Sequence, residues 1–300
     1  MLLNMKELLN TAYNNQFAVG SFNVANSEFV KVVIEAAEEN NSPAIIQIHP
    51  NEIELLTDHF IAYVLEAAKM AKVPIVIHLD HGDTMKDITR AIRNGYTSVM
   101  MDASHYSFEK NIELTKNAVD IAHLVNVSVE GELGTLGTNE GSSEKGSDNV
   151  FYTNPEQAKE FVDRTGVDTL AVAVGTAHGI YPKNEDQSIK IDRLMAIKSN
   201  VDIPLVLHGG SNNADEEIKE CLKHGVAKIN LSTDMKLAFF NRLREMLEEN
   251  PGAYEPDVLY PEATKAAKEL VKKKMDLFES TNKASLYKAK KGEEDLIWTL

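Results

Sequence analysis

Three hundred residues, 43% hydrophobic and 26% charged, make an ordinary globular composition and leave room for a large hydrophobic core. The formal net charge of −15 excludes nucleic acid and acidic membrane surfaces as expected partners, no apolar run reaches transmembrane length, and Met1 to Glu7 does not read as a leader. Cys221 is the single cysteine, so no intrachain disulfide is available and a reducing, cytoplasmic setting is expected. A small anionic substrate remains open if a metal ion, helix N-termini or backbone N–H groups supply local positive charge.

In chain order, the pattern predicts a short amphipathic helix over Leu3 to Asn14 and a first strand over Phe17 to Asn23. A helix follows over Ser27 to Asn40, with Ser27 as N-cap and apolar Phe29, Val30, Val33, Ile34 and Ala37 at helical spacing. Strand two is Pro43 to His49, followed by a helix over Thr57 to Met70. Pro74 to Gly82 is the third strand, an apolar run ending in His78, Asp80 and His81. Next come a helix over Met85 to Arg93, strand four over Thr97 to Asp102, and a helix over Glu109 to Leu124. Strand five is Val127 to Leu133. Gly134 to Val150 is long, polar and Gly/Ser-rich, a candidate active-site loop. Pro155 to Arg164 is helical behind Asn154, Asp168 to Val174 is strand six, and Ile189 to Ser199 is helical. Ile203 to His208 is strand seven, Asp215 to Lys223 a helix, Val226 to Leu231 strand eight, and Thr233 to Glu249 a helix. A further helix is expected over Pro261 to Glu279, before a charged tail to Trp298.

Strands alternating with helices through eight units predict an α/β chain of a single (β/α)8 TIM-barrel domain over residues 1–300. It carries an extra N-terminal helix and a C-terminal helical extension from about residue 251. The alternative, an open doubly wound sheet, rarely keeps such unbroken alternation.

The strand ends in order are Asn23, His49, Asp80-His81, Asp102, Glu130 and Glu132, His178, His208 and Asn230. In a barrel these converge on one rim. His81, His178 and His208 are each followed by glycine, and three imidazoles with an open fourth position suit catalytic Zn²⁺. Asp102, Glu130 and Glu132 could orient those imidazoles or bind a second cation. His59, His123 and His224 fall on helices and read as surface groups, while His105 just past a strand stays undecided. Gly209-Gly210-Ser211 and Ser232-Thr233 follow strands seven and eight, the usual phosphate loops of this fold. Lys183 could reach the same anion or be solvated.

From His78 to Gly82, and from Val129 through Gly134-Thr135-Leu136-Gly137-Thr138-Asn139 to Glu140, the chain resembles the class II, zinc-dependent ketose-bisphosphate aldolases of the fructose- and tagatose-1,6-bisphosphate type. His178-Gly179, His208 to Ser211 and Asn230 to Thr233 continue that resemblance in order. The resemblance implies Zn²⁺ on His81, His178 and His208, with Asp102 and Glu132 at positions of an alternative metal. It implies Asp80 as acid/base at the C4 hydroxyl, Glu140 exchanging the C3 proton, and Asn230 bonded to the enediolate. It further implies a phosphate held by Gly179, Gly209, Gly210, Ser211, Ser232 and Thr233 beside a monovalent cation, Na⁺ or K⁺, with Asn23 among the substrate contacts. Retro-aldol cleavage of a ketose 1,6-bisphosphate to dihydroxyacetone phosphate and an aldehyde, a place in glycolysis or related carbohydrate metabolism, and a homodimer or homotetramer follow from the same likeness.

Three positions depart from the family pattern. Glu255-Pro256-Asp257-Val258 puts an acid where many members carry an arginine that reaches the far phosphate. Ser232 stands where Asp is common, and His49 where a small residue is. A ketose phosphate with a different distal end is therefore the alternative substrate. Two rival activities remain: a Schiff-base aldolase built on Lys228, and a non-catalytic sugar-phosphate-binding barrel.

Overall fold

Eight parallel strands close on themselves in this computed structural model, which describes residues 1–135, 137–138, 151–178, 188–211 and 213–287. Helix α1 (Met5–Asn14) precedes β1 (Val19–Asn23), α2 (Ser27–Glu39), β2 (Ala44–Ile48), α3 (Pro50–Leu56) and α4 (His59–Met70). Then come β3 (Ile75–Gly82), α5 (Met85–Arg93), β4 (Ser98–Met101), α6 (Phe108–Ala122), β5 (Ser128–Leu133) and β6 (Gly137–Thr138). The chain continues through α7 (Pro155–Thr165), β7 (Thr169–Val172), β8 (Ala177–His178), α8 (Ile191–Lys198), β9 (Leu205–Leu207), α9 (Asp215–Lys223), β10 (Val226–Leu231), α10 (Thr233–Glu249) and α11 (Pro256–Leu277). Around the barrel the order is β1-β10-β9-β7-β5-β4-β3-β2, returning to β1, while β6 and β8 form a separate parallel pair. The expected (β/α)8 barrel is the fold.

The outward residues of the strands are apolar and pack under the helices: Phe22, Ile46, Ile77, Leu79, Val99, Val129, Leu170, Leu207 and Ile229 all belong to one buried cluster. A second cluster lies at the amino end of the barrel. There Met5, Leu8, Leu9 and Ala12 of α1 cover Val19, Ile45, Val76 and Ala227, so the extra helix is a plug for the bottom of the cylinder. The Tyr287 hydroxyl donates to Leu8 O at 2.9 Å and ties the segment after α11 to that plug.

Three local expectations are corrected. Asn26, not Ser27, caps α2: its extended backbone (φ −168°) lets Oδ1 accept from Phe29 N at 2.9 Å. The helix expected from Thr57 to Met70 is α4, starting at His59, and a short helix that was not expected, α3, precedes it, the two separated by Thr57 at φ +62°. Pro50 opens α3 at the position where a missing N–H costs nothing, and His49 caps it. The last long helix begins at Pro256, and Pro261 lies inside its second turn. Burial of Leu259 and Ala263 carries the helix through that proline.

Candidate active site

Side chains alternate along each strand, so every second residue faces the barrel interior. Above the apolar layer on α1 lies a polar middle layer of Ser21, Gln47, His78, Ser98, Glu130 and Lys228, all buried. Above that, at the carboxyl ends, stand Asn23, Asp80, Glu132, His208 and Asn230, also buried. Closely spaced polar groups in an enclosed interior must satisfy one another, and the hydrogen bonds show how.

Asp80 receives three side-chain amides. Asn23 Nδ2 donates to its Oδ2 at 2.8 Å, Gln47 Nε2 to the same oxygen at 3.3 Å, and Asn230 Nδ2 to Oδ1 at 3.3 Å. Gln47 also donates to Asn23 Oδ1 at 2.6 Å and accepts from the Ser21 hydroxyl, which locks the amides in place. Burial alone would raise the Asp80 pKa, but the charges of His81, Lys228, His208 and His49 outweigh it and hold the carboxyl below its ordinary value. Gln47 was not among the residues expected at the site. Its signal was a lone amide in the apolar run Ala44–Ile48.

His81 follows Asp80 with φ +48°, a left-handed conformation that turns the chain at the strand end. Gly82 permits this turn: a Cβ there would sit 2.8 Å from Met100 O and 2.8 Å from Leu79 Cδ2. Asp102 Oδ2 lies 2.8 Å from His81 Nδ1, and Ser104 N and Oγ donate to Oδ1 at 3.2 and 2.8 Å. Against burial, the His81 and Ser104 contacts hold Asp102 well below the usual carboxylate range. With Asp102 on Nδ1, His81 turns Nε2 toward the Asp80 side, 3.9 Å from Asp80 Oδ1.

His208 is fixed the same way from below. Its Nε2 lies 2.9 Å from Glu130 Oε1, and Lys228 Nζ donates to Glu130 Oε2 at 2.8 Å. His208 Nδ1 is left 3.9 Å from Glu132 Oε2, and that oxygen is 3.8 Å from His81 Nδ1. The His81 and His208 rings meet edge-on at 4.8 Å. Burial and Lys228 push His78 well below its usual pKa; its Nδ1 is 2.9 Å from Ser98 Oγ. Lys228, the lysine considered for a Schiff base, is thus sealed in the middle layer as the counter-ion of Glu130.

One atom each from His81, Glu132 and His208 lies within 4.8 Å of the others, and all three residues are buried, so they can hold a metal ion. The electrostatics fit one. Burial and the neighbouring Asp102 charge drive the Glu132 pKa well above the carboxylate range, a repulsion that a cation would relieve. Glu132 Oε2 is buried and without a hydrogen-bond partner among the described residues. Two imidazole nitrogens and a carboxylate oxygen are donors that a borderline-soft divalent ion accepts. His178 lies on β8, beyond the end of β7 and paired with Thr138, rather than on a barrel strand. Its side chain is outside the described residues, as are Glu140, Gly179 and Lys183.

The two expected phosphate loops are neighbours: Gly210 N donates to Asn230 O at 3.0 Å. Gly209 has φ +63°, and a Cβ on Gly210 would sit 2.3 Å from Ile229 Cγ2. Only glycine allows that approach. Ser211 is buried beside them, and Ser232-Thr233 begin α10, a 17-residue helix whose first N–H groups can bind an anion.

Residues 3–283 match the family model described as fructose-bisphosphate aldolase class-II. The chain is 40% identical over 273 residues to the D-tagatose-1,6-bisphosphate aldolase subunit GatY of Klebsiella oxytoca, covering 91% of this chain and 95% of that one. It is 39% identical over 305 residues to the fructose-bisphosphate aldolase of Thermus caldophilus, covering 95% of this chain and all (100%) of that one. Among solved structures, the YdjI aldolase of Escherichia coli K12 superposes with a TM-score of 0.83 at 38% identity, over 95% of this chain and 100% of the other. The barrel, the buried carboxylates and imidazoles at its mouth and these matches agree: the chain belongs to the class II fructose-bisphosphate aldolase family, whose members are lyases.

Proposed function

We propose that the enzyme reversibly cleaves the C3–C4 bond of a ketose 1,6-bisphosphate, fructose 1,6-bisphosphate first, into dihydroxyacetone phosphate and glyceraldehyde 3-phosphate. The observation that carries this reading is the Asp80 carboxylate, held by three amides and 3.9 Å from His81 in the His81–Glu132–His208 group. Such a carboxylate has a hydroxyl acceptor's chemistry and no freedom to turn away. Asp80 would take the C4 hydroxyl proton as the bond breaks, a step contributing on the order of 10²–10⁴ in rate. Glu140 would exchange the proton at C3, and Asn230 would hydrogen-bond the substrate oxygens between Asp80 and the phosphate. Gly179, Gly209, Gly210, Ser211, Ser232 and Thr233 would hold the C1 phosphate, with Lys183 and a monovalent cation nearby.

Zn²⁺ on His81, His178 and His208, with Glu132 and Asp102 beside it, would supply Lewis-acid polarisation of the ketone and stabilise the negative charge that cleavage leaves, worth several kcal/mol. Asp102 and Glu130 would serve it by fixing which nitrogen of His81 and His208 faces the ion.

Tagatose 1,6-bisphosphate is the second reading, since a relative named for it matches at 40% identity, level with the fructose-bisphosphate relative at 39%. The deciding assay is a panel of fructose, tagatose and sorbose 1,6-bisphosphates and the corresponding 1-phosphates, before and after EDTA and after Zn²⁺ return. Cleavage lost with chelation and restored by zinc supports the reading. Full activity in protein verified to be metal-stripped would defeat it. A homodimer or homotetramer is part of the same proposal, to be read by light scattering.

A further inference from the structure

Strands β5 and β7 pair rung by rung from Glu130↔Thr169 to Leu133↔Val172, and there the ladder stops. At the next step Thr153 stands between the two chains. Its hydroxyl donates to Leu133 O, the last carbonyl of β5, and accepts from Ala173 N, just past β7, at 2.8 Å. Its own N–H donates to Ala173 O at 3.0 Å. Its carbonyl accepts from Arg193 Nη1 of α8 at 2.9 Å, and the same guanidinium lies 5.3 Å from the Tyr152 ring centroid. Thr153 is 1% exposed, so its N–H, carbonyl and hydroxyl are all paired out of water.

The surrounding backbone makes room for this wedge. Gly134 leaves β5 at φ +90°, and a Cβ there would sit 2.6 Å from Phe151 O and 2.9 Å from Thr153 Oγ1. Thr135 N donates to Phe151 O at 2.9 Å, and Phe151 N donates to Thr135 Oγ1 at 2.9 Å. Beyond the wedge the parted chains meet again, as Gly137↔Ala177 and Thr138↔His178 of β6 and β8. A hydroxyl that bonds both strand ends at once fixes the distance between them, because each bond has a narrow range of length. Those strand ends lead to metal donors. Glu132 of the His81–Glu132–His208 group directly precedes Leu133, and the chain from Ala173 runs on to His178.

We infer that Thr153 is a positioning residue for the metal group, its hydroxyl setting how far the end of β5, with Glu132, stands from the exit of β7 toward His178. The inference rests on the zinc reading above and goes beyond it. A threonine outside the donor set governs how well the donors converge on the ion.

The test measures zinc dissociation constants on EDTA-stripped protein, by competition with a chelator of known affinity. Thr153→Val keeps the shape and removes the hydroxyl. Its dissociation constant should rise about tenfold, the low end of the cost of losing a group that steadies a ligand. Thr153→Ser keeps the hydroxyl and should bind zinc as the wild type does. Thr165→Val is the control for lost stability: it removes a buried hydroxyl bonded to Phe161 O at 2.7 Å within α7, and should also bind as the wild type does. An equal weakening in Thr153→Ser or in Thr165→Val overturns the assignment, since side-chain packing or general destabilisation would then account for it. Should Thr153→Val fail to fold, Arg193→Met on the half-buried face of α8 releases the Thr153 carbonyl instead, and unchanged zinc affinity there overturns the assignment. Wild-type protein that takes up no zinc would sink the metal reading, and this inference with it. Equally tight zinc in the wild type and in Thr153→Val would sink only the role of Thr153.

Discussion

At the scale of single residues, the site is a set of side chains whose freedom has been removed. Asp80 is held at both oxygens by Asn23, Gln47 and Asn230. Asp80→Asn keeps the shape and removes the proposed proton acceptor. It should lower kcat by at least 10²-fold while leaving metal binding in place, as steady-state assays and metal analysis would show. A loss under tenfold would place the base elsewhere. Lys228 and Glu130 are both fully buried and face each other at 2.8 Å. Lys228→Met leaves Glu130 a buried charge without its lysine counter-ion and should cost about 3–5 kcal/mol in urea unfolding. The double variant Lys228→Met/Glu130→Gln should recover most of that, because no net charge then stays buried. It should still bind Zn²⁺ at least tenfold more weakly, since His208 has lost its anionic partner. Equal metal affinity in the double variant would reduce the pair to a packing role.

At the scale of elements, the C-terminal helix α11 is clamped to α2 through Lys268, which reaches Glu35 at 3.0 Å and Glu39 at 2.7 Å, and Lys272, which reaches Glu39 at 3.0 Å. Hydrogen bonds from Lys268 and Lys272 lower the Glu39 pKa from 4.5. A carboxyl lowered on folding contributes stability above its unfolded value and loses it as pH falls through the folded one. Glu39→Gln should therefore lower the melting temperature by about 1–2 °C at pH 7, a small effect because the pair is solvent-screened. As pH falls below 4.5 and on through the lowered folded value, the variant and the wild type should converge. A constant gap between their melting curves at every pH would show that the ion pairs are not its source. The same scale explains a miss in reading the chain. Proline marked a helix start at Pro261, yet α11 begins at Pro256 and runs through it, because apolar Leu259 and Ala263 are buried there.

For the whole molecule, the carboxyl end of the barrel concentrates Asp80, Asp102, Glu130 and Glu132 around two imidazoles and one lysine. Burial and Asp102 hold Glu132 well above its ordinary pKa, a repulsion that a cation would relieve. Zinc added to EDTA-treated protein at about 100 times its dissociation constant should stabilise it by about 2.7 kcal/mol, a rise of several degrees in melting temperature. His208→Ala should abolish the rise. An unshifted melting curve on addition of zinc to the wild type would mean that the group holds no such ion.

The eight-fold alternation of strands and helices was legible in the chain because each element carries its own period, two or 3.6, independent of its neighbours. The rim residues were legible too, since a barrel must bring strand ends together, and Asp80, His81, His208 and Asn230 lie where those ends converge. What the tertiary structure alone decided is partnership. That Gln47 steadies Asp80, that Glu130 selects the nitrogen of His208, and that Lys228 is the counter-ion of Glu130 depends on residues up to 98 positions apart in the chain facing each other across a closed interior. No local pattern encodes such contacts. They follow from the order in which the strands close the ring and from the need of every buried polar group for a partner.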